Sequence, residues 1–108
     1  MGSSRKGILE PQQSLVLTQL AKRLPDFFLT GGTALAEFYL GHRRSLDLDF
    51  FTHTPDALEQ AGVELHALAK ELGLQVRQMR TSPSFRRFLL EGGEEAVVVD
   101  LVYDAVPP

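Results

Sequence analysis

The chain has 108 residues and a mass of 12.0 kDa, with 44% of its residues apolar. That is one domain with a single core, not two. A net charge of −3 excludes a dedicated nucleic-acid coat, and the absence of cysteine excludes a disulfide scaffold or a thiolate metal site. No stretch is long and apolar enough to span a membrane. Arg5 and Lys6 are followed by too few apolar residues for a signal peptide. Residues 1–10 are expected to be a flexible leader, residues 11–108 the folded core, and the setting cytoplasmic.

Pro11 to Leu24 reads as a helix, with Leu17, Leu20, Ala21 and Leu24 on one face and Pro25 ending it. Phe27 to Thr30 is a short buried strand, and Gly31-Gly32 a turn. Thr33 then caps a short helix, Ala34 to Leu40, closed by Gly41. His42-Arg43-Arg44-Ser45 reads as a polar loop and Leu46 to Phe51 as a second strand. Thr54-Pro55-Asp56 starts a helix in which Leu58, Ala61, Leu65, Leu68 and Leu72 recur at alternating steps of three and four. Leu74 to Arg80 is a third strand. Phe85 to Glu91 and Ala96 to Tyr103 form a hairpin around Gly92-Gly93-Glu94-Glu95. The expected fold is α/β (α+β): one small mixed sheet with helices packed on it.

Three features carry chemistry. Thr30-Gly31-Gly32-Thr33 is expected between a strand and a helix, where two glycines and the helix start allow a phosphate to approach the backbone closely. No Lys-Ser/Thr pair and no GxGxxG pattern follows, so it is neither a P-loop nor a dinucleotide fingerprint. Asp47-Leu48-Asp49 lies in a strand, where the period of two puts both carboxylates on one face, about 6.6 Å apart at Cα. Two like charges on one face repel, and a hard divalent cation such as Mg²⁺ offsets that directly. The alternative is a solvated face balanced by Arg43 or Arg44. Asp100 is a lone acid in the apolar run Ala96–Tyr103 and needs a partner if buried. If its strand lies beside that of Asp47 and Asp49, three carboxylates converge and can hold two cations about 3.5–4 Å apart. Otherwise Asp100 sits at a strand end or pairs with Arg86 or Arg87 across the hairpin. Asp104 is a weaker rival. His42, His53 and His66 lack metal-ligand spacing, no GxSxG elbow is present, and Arg77, Arg80, Arg86 and Arg87 tint the later strands basic.

Residues 27–52, FFLTGGTALAEFYLGHRRSLDLDFFT, resemble the nucleotidyltransferase signature of the AbiEii/AbiGii toxin family, within the DNA polymerase β-like superfamily. An apolar strand, Gly-Gly-Thr, a short helix ending near Gly-His-Arg and Ser-x-Asp-Leu-Asp-Phe-Phe occur in order. The resemblance implies a Mg²⁺- (or Mn²⁺-) dependent transferase moving a nucleoside monophosphate from an NTP to a hydroxyl of RNA, protein or a small molecule. It implies triphosphate binding by Gly31, Gly32 and Thr33, metal binding by Asp47 and Asp49, and Asp100 as the third catalytic acid and metal ligand. Arg43 or Arg44 is expected to touch phosphate, since arginine matches phosphate oxygens bidentately. Family members usually continue into a long helical region, whereas this chain stops at Pro107-Pro108. The alternative expectation is therefore an inactive or incomplete nucleotide-binding or interaction module, acting as a homodimer or with a partner chain that supplies the missing helices.

Overall fold

A computed structural model describes residues 11–29, 36–40, 43–93 and 95–104. The elements in chain order are α1 (Pro11–Arg23), β1 (Phe28–Leu29), β2 (Ala36–Leu40), β3 (Arg43–Thr52), α2 (Ala57–Leu72), β4 (Gln75–Ser82), β5 (Phe85–Gly92) and β6 (Glu95–Tyr103). They form a mixed six-stranded sheet in the order β1-β3-β6-β5-β4, with β2 also paired to β3. Two helices pack on this sheet among the described residues, giving the expected α+β fold.

The helices form where periodicity placed them. In α2, Leu58, Ala61, Leu65 and Leu68 are all buried, and Gly73 ends the helix in the left-handed conformation at φ 72°, which a Cβ would disfavour. Their apolar stripe meets the face of the sheet that carries the even-numbered residues of β3. Leu46, Leu48 and Phe50 of β3 and Leu101 of β6 are buried there with Phe88 and Leu90 of β5. Helix α1 adds Val16 and Leu20 to the same cluster. Both helices cover one face only, so the odd-numbered face of β3, which carries Asp47 and Asp49, has no helix on it among the described residues.

Two local expectations are corrected. The helix expected over Ala34–Leu40 is a strand where the structure describes it: Ala36–Leu40 pairs antiparallel with β3, Ala36 opposite Asp47 and Leu40 opposite Arg43. Ala36 and Glu37 are good helix formers, but helix propensity is a weak prior and tertiary context overrides it. The outer edge of β3 would otherwise present unpaired backbone groups, and Phe38 and Tyr39 suit a strand. Arg43 and Arg44 likewise belong to the start of β3, not to a loop. The expected Gly31-Gly32 turn and Thr33 cap lie outside the described residues.

The late strands follow the expected order. β4 and β5 are antiparallel with Ser82 opposite Phe85, and the ladder is irregular between Gln78 and Arg80, where the apolar alternation had faltered. β5 and β6 form a hairpin in which Gly92 pairs with Glu95 and Gly93 takes φ 63°. β6 then runs parallel to β3, with Asp49 opposite Asp100. No helix among the described residues is long and apolar enough to cross a membrane.

Candidate active site

Strand pleating and register together build the site. Asp47 and Asp49 project from one face of β3, and the parallel neighbour β6 brings Asp100 level with Asp49. One carboxylate oxygen from each of the three lies within 4.8 Å of the others. The two readings left open for Asp100 both hold. It joins the acidic pair, and it is also bound across the hairpin by Arg87, whose Nε donates to Oδ1 at 2.6 Å and whose Nη2 donates to Oδ2 at 3.0 Å. Arg87 stands opposite Asp100 in the β5–β6 ladder, so the turn at Gly93 sets this pairing.

The triad sits in an apolar frame. Val98 lies beside Asp47 in the register and against Leu89 of β5, and Leu89, Ala96 and Val98 form a small buried cluster on this face. On the other side Phe51 follows Asp49 along the strand, its ring centroid 5.3 Å from that of Phe28 on β1. This frame removes part of the water from the carboxylates, leaving Asp47 and Asp49 half-buried and Asp100 buried. Burial, and then the charge of Asp100, push the Asp47 carboxyl above its ordinary 3.8, against a smaller opposing effect of Arg87. Asp49 is pushed up for the same first reason, then by the charges of Asp47 and Asp100 and a hydrogen bond shared with Asp100. Asp47 Oδ1 is buried and meets no hydrogen-bond donor among the described residues. A buried carboxylate oxygen without a donor costs free energy, and the missing partner is of the kind a cation supplies. Three oxygen donors without nitrogen or sulfur suit a hard ion such as Mg²⁺ or Mn²⁺.

These shifts fix a pH dependence. Between pH 3.8 and the raised native values the folded chain holds more protons on Asp47 and Asp49 than the unfolded chain. Their contribution to stability therefore falls as pH rises through that window, and the full penalty stands above it. In metal-free buffer the Asp47→Asn/Asp49→Asn variant is expected to melt higher than the parent near neutral pH. The gap should close as the pH drops towards about 4. Thermal melts in chelator across pH check this, and a gap independent of pH would contradict it.

The other expected site residues are placed differently. Gly31, Gly32 and Thr33 lie outside the described residues, but the ends of their segment are fixed. Leu29 pairs with Phe50 and Ala36 with Asp47, so the chain leaves and rejoins the edge of β3 on either side of Asp49. Arg43 and Arg44 precede Asp47 along β3 by four and three residues, about 13 and 10 Å at strand rise. Asp104 is outside the cluster, its N–H donating to the Thr52 carbonyl. His53 and His66 engage backbone carbonyls of Asp104 and Gly62. A cavity of about 530 Å³ between α2 and the β4–β5 hairpin, lined by Leu58, His66 and Phe88 among others, opens on the helix-covered side and touches none of the three acids. Arg87 is the residue the sequence named only as a charge partner, and the hairpin register was the signal for it. Five steps out from Gly92 and from Glu95 along the two strands lead to Arg87 and Asp100.

No curated protein matches the chain. A family profile described as nucleotidyl transferase AbiEii toxin, Type IV TA system, matches residues 15–108 and so spans all three acids, the Gly-Gly-Thr segment, most of α1 and every element after it. By that match the chain belongs to the AbiEii nucleotidyl transferase toxin family.

Proposed function

We propose that the chain transfers a nucleoside monophosphate from an NTP to an acceptor hydroxyl, using Asp47, Asp49 and Asp100 as ligands of a divalent cation. The observation that carries this reading is the three-carboxylate cluster on the face that bears no helix among the described residues, with a buried Asp47 oxygen that meets no donor among them. Family membership supports the reaction class. The magnesium dependence rests on the donor chemistry. The family description places these proteins in toxin–antitoxin systems, and we read this chain as the toxin member of such a pair, with an antitoxin as partner.

In this reading the acceptor oxygen bonds to the α-phosphorus as the bond to the bridging oxygen breaks, and pyrophosphate leaves. The hydroxyl proton passes to solvent through the carboxylate cluster. Asp47, Asp49 and Asp100 would hold a divalent cation, which would offset the negative charge that develops in the transfer. Asp47 and Asp49 fix the ligand geometry because they share one rigid strand, and Asp100 closes the set from the next strand. The Leu89–Val98 floor keeps water away from one side of it. Gly31, Gly32 and Thr33 are assigned to the triphosphate, since their segment is anchored on both sides of Asp49. One of the two arginines, Arg43 or Arg44, is assigned to the more distant phosphates.

Calorimetric titration with ATP, GTP, CTP and UTP, with and without Mg²⁺, tests this. Binding is expected only with the metal, and only in the parent, not in Asp47→Asn/Asp49→Asn. Pyrophosphate release with RNA, protein and small-molecule hydroxyl acceptors then identifies the acceptor class. Binding that ignores both metal and variant, or no binding under any condition, would overturn the assignment.

A further inference from the structure

Arg87 occupies an unusual place for a structural ion pair. Asp100 is buried, with 5% of its surface exposed, and both of its oxygens are taken by this one guanidinium. The Arg87 side chain itself is 40% exposed, and its guanidinium carbon also lies 5.5 Å from the centre of the Phe85 ring. The group is thus held at the rim of the triad by a carboxylate and a ring, with one flank in solvent. The carboxylate it holds is one of the three whose oxygens converge.

Two opposite effects follow from that position. The guanidinium offsets the mutual repulsion of three carboxylates and orients Asp100 through a two-point contact. It also places a fixed positive charge beside the oxygens a divalent ion would use, and so opposes that ion. We infer that Arg87 is a resident counter-cation: a positioning residue that stands in for the divalent ion in the metal-free protein and competes with it for Asp100. This rests on the metal-binding reading of the triad given above. A purely structural pair would steady the hairpin, and its loss would loosen the site and weaken metal binding. A resident counter-cation gives the opposite sign, because its removal costs stability and tightens the metal.

Calorimetric titration with Mn²⁺ at low ionic strength and without nucleotide separates these, on the parent, Arg87→Gln and Arg87→Lys. Arg87→Gln removes the charge and is expected to bind Mn²⁺ roughly tenfold tighter. Arg87→Lys keeps the charge and loses the fork, and is expected to bind as the parent does. Both should melt lower than the parent in chelator. Unchanged or weaker binding by Arg87→Gln, with the parent binding, overturns the role of Arg87 and leaves the triad reading standing. Binding by Arg87→Gln alone supports the inference, and binding by neither overturns both readings. If Arg87→Gln does not fold, the Arg87 Nε–H resonance of the parent decides. It is expected to shift when Mg²⁺ reaches the site, and an unmoved resonance under saturating Mg²⁺ overturns the inference.

Discussion

Asp49→Asn is expected to lower Mg²⁺-dependent NTP binding and transfer by at least about 100-fold while leaving the fold intact. Weaker changes than the loss of a ligand, in groups that only support ligands, already cost 10–100-fold in metal affinity. Asp49 stands level with Asp100 and on the same strand face as Asp47, so one substitution removes the central member of the set. The same change relieves a carboxyl whose proton affinity is raised by burial and by two neighbouring charges. The metal-free variant should therefore melt higher than the parent near neutral pH. Calorimetry with Mg²⁺-NTP and thermal melts in chelator give the two readouts on one sample. Retained metal-dependent transfer would remove Asp49 from the mechanism.

The residue one step earlier is expected to behave in the opposite way. Leu48 points to the other face of β3, is fully buried and belongs to the core against the helices. Leu48→Ala should cost about 2–5 kcal/mol through lost transfer energy and the cavity left behind. That is a large share of the roughly 5–15 kcal/mol that holds a domain of this size together. Leu48→Asp, which would put an unpaired charge among Phe88, Val99 and Leu65, should leave the chain unfolded at room temperature. Urea unfolding followed by circular dichroism measures both. Adjacent positions with opposite signs, Asp49→Asn stabilising and Leu48→Ala destabilising, would establish the period of two as the organising feature of β3.

Much of the fold was legible because its signals are local. The three-and-four spacing of Leu58 to Leu72 needs no tertiary information to define a buried face, and Gly73 marks the helix end. Gly92-Gly93 announces a tight hairpin, and the turn then determines which residues of β5 and β6 face each other. The strand Ala36–Leu40 is not legible in the sequence for an equally physical reason. Its composition tolerates a helix, and what makes it a strand is the open edge of β3, contributed by residues further along the chain.

The candidate site divides in the same way. Sequence alone determined that Asp47 and Asp49 share a face opposite Leu46, Leu48 and Phe50, since strand pleating requires it. It also determined that Asp100 interrupts an apolar run and needs a partner. Only the tertiary structure decided that β6 lies parallel to β3 with Asp100 level with Asp49, because a pairing between segments about fifty residues apart has no turn to set its register. The structure likewise decided that Arg87 holds Asp100 without displacing it from the acidic pair. Where charge balance is struck inside a sheet depends on which strands are neighbours, and chain order does not state that.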